Sequence, residues 1–166
     1  MIIFKPIEKY HLVLLKEWRN SDSVRPYVRE YRLLNDSDQD AWYQYYLQSR
    51  LRSDWNQEIY MIHEDTIPIG VGGFTRIEWR NRRSELTFYL GNPKFEEYIE
   101  DCLINLVEKG FREFNFHKIT WPVYGHDPRL ELYKGILDVE AILKEEYFWD
   151  GKFQDRIYLS KLNVDK

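Results

Sequence analysis

The sequence predicts one mixed α/β domain over residues 1–166, with a mostly antiparallel sheet of about six to seven strands and about four helices on its two faces. The chain is long enough to bury a core, and 43% of its residues are hydrophobic and 17% aromatic. Its apolar residues also alternate between helical and strand spacing. The resulting order is a strand, two helices, three strands, a helix, a strand, a helix and a hairpin, which is typical of a mixed sheet covered on both faces.

The first half of the chain is predicted to contain the first four strands and two helices. Pro6 ends the first strand. Asn35 or Ser37 caps the second, aromatic-rich helix, because a side-chain oxygen there accepts from free backbone N–H groups. The predicted bounds are residues 2–5 for the first strand, 8–20 and from the cap to about 51 for the helices, and 58–63, 68–77 and 84–90 for the next strands.

The second half is predicted to begin with a long helix and to close with a hairpin. Pro128 suits the first turn of a short helix, and Asp150-Gly151 suits a hairpin turn. The predicted bounds are residues 95–114 for the long helix, 118–123 for a strand, 128–137 for the short helix, and 143–149 and 156–162 for the hairpin strands.

The junction between the strand 84–90 and the helix 95–114 is the most informative segment. A strand that leads into a helix N-terminus often binds phosphate, because free N–H groups and the helix dipole point there. Here the junction contains no glycine-rich loop. Four acids crowd the start of the helix instead, namely Glu96, Glu97, Glu100 and Asp101. Carboxylates at this position stabilise a helix and disfavour an anionic ligand.

Composition narrows the class of protein. The formal net charge of −4 gives no reason to expect a nucleic-acid partner, and no segment suggests a signal peptide or a membrane span. Cys102 is the one cysteine, which suits a reducing cytosol, and it falls on the apolar face of its helix as a packing residue. The four histidines lack metal-like spacing, so no metal site is predicted.

Several segments together resemble the GNAT superfamily of acyl-CoA-dependent N-acetyltransferases, in particular its ribosomal-protein-acetyltransferase-like branch. Pro68-Ile69-Gly70-Val71-Gly72-Gly73-Phe74 and Asp150-Gly151-Lys152-Phe153-Gln154-Asp155-Arg156 are two of them. No single segment is specific, but their order is the family's over nearly the whole chain. The others are residues 4–8, 14–20, 29–32, 39–43, 79–82, 85–92, 116–119, 123–124 and 132–133.

The resemblance implies that acetyl-CoA enters between the strands 85–90 and 118–123. Its pantetheine would pair with the first strand, where backbone N–H groups of Phe88, Tyr89 and Leu90 would polarise the thioester. In the family, a glycine-containing Arg/Gln-x-x-Gly-x-Gly/Ala loop then holds the pyrophosphate. Here that loop is degenerate, since residues 96–102 lack glycine and the segment is about two residues shorter. The remaining candidate cofactor-binding residues are Lys94, His126 and Asp127.

The resemblance also assigns candidate chemical roles. Glu85 would accept the proton of the amine, directly or through water, and Tyr133 would give a proton to the CoA thiolate. Each residue has a structural alternative, which is an ion pair with Arg82 or Arg83 for Glu85 and aromatic packing for Tyr133. The candidate acceptor-binding residues are Arg29, Tyr31 and Trp42, with Arg25 and Trp149, which would suit an anionic or sugar-bearing acceptor.

These residues predict transfer of an acyl group from acyl-CoA to a primary amine, on a protein N-terminus, an amino sugar or a small metabolite. The degenerate loop leaves two alternatives, a non-catalytic binding module of the same fold and an enzyme with a non-standard donor. Because many GNAT proteins dimerise, the resemblance is also compatible with a homodimer.

Overall fold

The computed structural model describes residues 1–164, which contain seven strands and four α-helices. Short 3-10 turns at Lys9–His11, Arg25–Tyr27 and Pro93–Tyr98 link some of them. The strands are β1 (Ile2–Pro6), β2 (Glu58–Glu64), β3 (Ile67–Glu78), β4 (Arg83–Leu90), β5 (Lys118–Tyr124), β6 (Asp138–Trp149) and β7 (Lys152–Leu162). The helices are α1 (Leu12–Asn20), α2 (Asp36–Arg50), α3 (Ile99–Arg112) and α4 (Leu130–Ile136).

All seven strands form one sheet in the order β1-β2-β3-β4-β5-β7-β6. Every neighbouring pair is antiparallel except β4 and β5, which run parallel. Successive residues of β2 illustrate the two faces, since Met61 packs with α1 and α2 whereas Ile62 packs with α3. The predicted mixed fold with helices on both faces is confirmed.

Most predicted elements are present, with shifted ends. Of the two predicted caps of α2, Asn35 is the one that forms. The side chains of Asn35 and Asp38 accept each other's backbone N–H at 2.9 Å. The first strand ends at Pro6 as predicted, although Pro6 itself belongs to it. Pro6 pairs with Tyr60, which an edge strand tolerates because one side of it needs no donor. The predicted helix start at residue 95 is wrong, because a 3-10 turn precedes α3.

Cys102 lies in the core on the buried face of α3, as predicted. Its side chain is inaccessible to solvent, and burial raises the pKa of the thiol to about 12. The residue therefore packs and is not a nucleophile at neutral pH. No helix within residues 1–164 is long and apolar enough to cross a membrane.

Gly91, directly after β4, allows α1 to lie close to the end of that strand. A Cβ atom on Gly91 would lie 1.9 Å from Cδ2 of Trp18, a ring that is itself 8% exposed. The N–H groups of Gly91 and Asn92 both donate to the carbonyl of Ile69 at 2.9 Å, which fixes the turn that follows β4. A residue without a side chain is thus required here for packing.

We expect Gly91→Ala to lower the free energy of unfolding by about 1–3 kcal/mol, because the indole of Trp18 must move out of a packed position. Urea unfolding followed by circular dichroism measures this change. Gly135→Ala is the matched control, since nothing lies within 4 Å of the added Cβ and alanine favours the helix α4. Equal stability of the two variants would contradict the packing argument.

Candidate functional site

The gap between β4 and β5, which we term the β4–β5 wedge, dominates the centre of the sheet. The two strands pair only from Arg83 with Lys118 to Glu85 with Thr120. Beyond these residues the strands separate, and the backbone edges that face each other have no ladder partner. Phe88 and Trp121 then lie on opposite sides of the gap, with ring centroids 6.1 Å apart. An open strand edge of this kind can pair with an extended ligand.

A cavity of about 380 Å³ opens beside the wedge on the face covered by α1 and α2. Phe88 and Trp121 line it as well, so the cavity and the wedge are continuous. Three of its five charged residues are arginines, and we therefore term it the basic pocket. Its charged lining residues are Arg19, Arg29, Glu30, Glu85 and Arg156.

Glu85 lies where the wedge begins to open, and its side chain is 14% exposed. Its carboxylate accepts a hydrogen bond from Arg29 Nη2 at 2.8 Å and has Arg76 Nη1 at 3.6 Å. The predicted structural alternative, an ion pair with Arg82 or Arg83, is not formed within residues 1–164. Arg83 instead pairs with Glu78 at 2.7 Å. A carboxylate at the mouth of the basic pocket can accept a proton from a bound amine.

Tyr133 of α4 lies on the other side of the sheet from the basic pocket and is 3% exposed. Its ring contacts that of Trp121 with a centroid distance of 4.6 Å. Burial raises the pKa of its phenol well above the ordinary value, and the carboxylate of Asp127 raises it further. The aromatic packing that was the predicted structural alternative for Tyr133 is therefore present. The raised pKa makes the buried phenol a weaker acid than an exposed tyrosine.

Neighbouring side chains bind both His126 and Asp127. The hydroxyl of Tyr147 hydrogen-bonds to the His126 ring, and burial lowers the pKa of this histidine, so it is neutral near pH 7. Asp127 is buried and accepts from Arg129 Nε at 2.9 Å, and Arg129 lies 5.0 Å above the ring of Tyr27. Neither residue supplies a positive charge to a phosphate group.

The junction after β4 offers no built cradle for a pyrophosphate. The side chain of Asn92 accepts from the N–H of Lys94 at 3.2 Å, and the Lys94 side chain is exposed. The α3 helix begins at Ile99 without a side-chain cap. Four exposed carboxylates surround this end of the helix, those of Glu96, Glu97, Glu100 and Asp101. An anion at this position would meet more negative than positive side chains.

The predicted acceptor-binding residues are distributed over three neighbouring cavities. Arg29 lines the basic pocket and pairs with Glu85. Trp42 lines an adjoining cavity of about 450 Å³ and stacks on Tyr46 with a centroid distance of 5.5 Å. Tyr31 is 61% exposed and lines a third cavity together with Trp149. The structure therefore places Arg29 beside Glu85, whereas Tyr31 and Trp42 lie further away.

Sequence reasoning missed Arg19 and Arg156, which line the basic pocket, and Arg76, which approaches Glu85. The sequence indicates Arg19 only as part of the first helix and Arg156 only as part of a family motif. Arg76 reaches Glu85 because β3 is irregular between Thr75 and Glu78 and because Arg76 itself has a φ of 49°. Nothing in the sequence signals that bulge. Within the described residues, no group of three or more histidine, cysteine, aspartate or glutamate side chains could hold a metal ion.

Comparison with known families identifies the class of the protein. Residues 2–130 match the acetyltransferase (GNAT) domain, which is most of the chain. The chain therefore belongs to the GNAT acetyltransferase domain family, as the sequence resemblance predicted. The assignment to the ribosomal-protein-acetyltransferase-like branch stays a prediction. A comparison with proteins of curated function found no match.

Solved structures confirm the fold over nearly the entire chain. The spermidine N-acetyltransferase from Vibrio cholerae in complex with CoA and spermine is 18% identical, with a TM-score of 0.85 over 97% of this chain and 95% of that one. A chimera of that enzyme, SpeG, with hSSAT is 17% identical and has a TM-score of 0.83 over 99% and 96%. A dodecameric structure of the Vibrio enzyme in an intermediate state is 18% identical and has a TM-score of 0.78 over 99% and 95%. Such identities establish a shared fold alone.

Proposed function

We propose that the protein transfers an acyl group from acyl-CoA to an amine. The observation that carries the proposal is the position of Glu85, which lies where β4 and β5 separate and faces a cavity continuous with the gap. A carboxylate there can accept a proton from an amine bound in the basic pocket. Family membership adds the class of reaction, because the matched domain is that of acetyltransferases.

In this mechanism Glu85 accepts a proton from the acceptor ammonium, and the neutral nitrogen attacks the thioester carbonyl. Unpaired backbone N–H groups of Phe88, Tyr89 or Leu90 on the wedge edge would stabilise the developing oxyanion. A carbon–nitrogen bond forms and the carbon–sulfur bond breaks. The nitrogen loses its second proton to solvent as the amide forms, and the departing thiolate takes up one proton. Acyl-CoA supplies the activated acyl group. The open edge of the wedge suits the extended pantetheine arm of CoA, whereas the acidic segment between β4 and α3 suits the pyrophosphate less well.

We propose Tyr133 as the donor of the final proton. Tyr133 contacts Trp121, which lies at the wedge. Burial raises the pKa of the Tyr133 phenol, so its ionisation is unfavourable. Proton transfer from Tyr133 is therefore favourable only to a thiolate held in the same dry environment, where the pKa of the thiol is raised as well. Lys94 is the cation nearest in sequence to the pyrophosphate position, and we include it as a weak contact.

A second candidate function is a non-catalytic binding module. The four exposed carboxylates around the start of α3 favour it, because they oppose the phosphates of CoA. His126 is neutral and Arg129 is paired with Asp127, so neither supplies an unpaired positive charge to a phosphate group. In this case the basic pocket would bind its ligand without chemistry.

Thermal unfolding with and without millimolar acetyl-CoA, backed by calorimetric titration, separates the two candidates. A ligand at 100 times its dissociation constant stabilises a protein by about 2.7 kcal/mol, which raises Tm by roughly 5–11 °C for a chain of this size. A shift of this size, followed by CoA release with an amine, supports the transferase. A folded sample with neither a shift nor a titration heat contradicts it and favours the binding module.

We also propose that the chain self-associates through its β6 edge. β6 is the last strand of the sheet, and Phe148 and Phe153 of the final hairpin are 60% and 64% exposed. The dodecamer of the Vibrio enzyme shows that this fold can assemble. Light scattering after size exclusion should give more than one chain per particle, and Phe148→Lys should lower that mass. A monomer at micromolar concentration contradicts the proposal.

A further inference from the structure

Arg19, at the end of α1, has an unused capacity to bind an anion. Its Nη2 donates weakly to the carbonyl of Glu30 at 3.4 Å, and its guanidinium lies 5.8 Å from the ring centre of Tyr89. Its Nε is buried and has no hydrogen-bond partner in the described residues. A buried donor without a partner is costly. Arg19 lines both the basic pocket and the adjoining cavity, so a ligand in either can reach it.

The two carboxylates that line the basic pocket with Arg19 are already paired with other arginines. Arg32 binds both oxygens of Glu30 at 2.6–2.9 Å and lowers the pKa of that carboxyl to about 2. Glu85 pairs with Arg29, and Glu146 lies 3.0 Å from Arg156 Nε. Within residues 1–164, Arg19 has no carboxylate partner in an ion pair. The basic pocket therefore keeps an uncompensated positive charge next to the candidate base.

The pair between Arg29 and Glu85 has a chemical consequence for the acceptor. An amine that binds Oε1 of Glu85 must replace Arg29, which donates to that oxygen at 2.8 Å, whereas Oε2 has only Arg76 Nη1 at 3.6 Å. When Arg29 is replaced, its guanidinium needs another anion. An acceptor that carries its own anionic group meets both needs, because its ammonium takes the place of Arg29 while its anion binds the released guanidinium.

We infer that the acceptor is an amine that also carries a carboxylate or phosphate group, held by Arg19 and Arg29 while its nitrogen pairs with Glu85. This inference rests on the proposed function for the reaction, but the binding itself does not require CoA. The remainder of the acceptor extends past Arg19 into the adjoining cavity, which Trp42 and Tyr89 line. A polycationic acceptor is disfavoured, since it would bring further positive charge to these arginines.

Calorimetric titration of the full chain, without CoA, tests the inference with matched amines. The carboxylate arm compares methionine with methioninamide, and the phosphate arm compares glucosamine 6-phosphate with glucosamine and O-phosphoethanolamine with ethanolamine. Spermidine is the cationic probe. We expect at least tenfold tighter binding of the anionic member in one arm, which identifies the group, and no preference for spermidine.

Arg19→Gln should lower the ratio of the affinities for the anionic and neutral amines at least tenfold. Arg19→Lys keeps the positive charge and should retain part of this ratio. Arg112→Gln, an exposed arginine of α3, is the control and should bind like the unmodified chain. Equal binding of anionic and neutral amines, no binding of any anionic probe, or preference for spermidine would overturn the inference. The proposed function has its own test. If the anionic amines bind and acetyl-CoA does not, the acyl transfer is contradicted while the inference about the ligand stands.

Discussion

Glu85→Gln is expected to lower kcat/KM for acyl transfer by about 10²–10⁴-fold, which is the usual contribution of a positioned general base. The amide keeps the size of the side chain and can still contact Arg29, but it cannot accept the proton of the amine. The affinity for acetyl-CoA should change little, because Glu85 lies where the wedge begins rather than along its free edge. Stopped assays of CoA release at saturating acetyl-CoA measure the effect.

The control for this substitution is Glu78→Gln. Glu78 is a carboxylate at the end of β3 that also pairs with an arginine, Arg83 at 2.7 Å, and it does not line the basic pocket. Its loss should leave kcat/KM close to that of the unmodified protein. If Glu85→Gln remained as active as this control, Glu85 would be an ion-pair residue and the base would have to be sought elsewhere in the pocket.

Replacement of two acids before α3 is expected to have the second large effect. Glu96→Gly combined with Glu97→Lys removes two negative charges and adds a positive one beside the end of the wedge. Acetyl-CoA should then bind at least about tenfold more tightly, because each lost repulsion next to a multiply charged phosphate is worth on the order of 1 kcal/mol. The glycine also frees the backbone to approach a phosphate. Calorimetric titration measures the gain.

A charge-matched variant separates local from general electrostatics. Glu108→Gln combined with Glu113→Lys makes the same total change in charge toward the other end of α3, on exposed side chains. It should leave the affinity for acetyl-CoA unchanged at physiological salt, where charges beyond about 8 Å are screened. If neither variant bound acetyl-CoA in a folded state, more than the loop would have been lost and the binding module would be favoured.

The fold was predictable because its elements depend on local patterns. The hydrophobic positions of α3, the Asn35 cap and the Asp150-Gly151 turn all act within one element, and each appears where the sequence indicated it. The ends were less predictable. Helix α3 begins at Ile99 rather than at residue 95, because a 3-10 turn at Pro93–Tyr98 precedes it. Pro6 is paired as the last residue of β1 because that strand lies at the edge of the sheet, which is a property of the tertiary fold.

The site was predictable only in part, because its members come from distant segments. Family resemblance pointed to Glu85, yet its partners Arg29 and Arg76 come from a turn and from a bulge that no short pattern reveals. The unpaired state of Arg19 depends on which arginine binds Glu30, and this is decided by side-chain geometry. Sequence reasoning can identify residue types that suit a reaction. It cannot predict which arginine pairs with which carboxylate, because these pairs form only in the folded structure.

The β4–β5 wedge also divides the sheet into two hydrogen-bonded units. Main-chain ladders run continuously from β1 to β4 and again from β5 to β6, and only the short parallel ladder ending at Glu85 and Thr120 joins the two units. Rotation of one unit against the other thus breaks few backbone hydrogen bonds. It is restrained by the hydrophobic core beside α3, which contains residues of both units, among them Phe88 and Trp121. A strand-like ligand in the wedge would complete the missing ladder and make the seven strands move as one body.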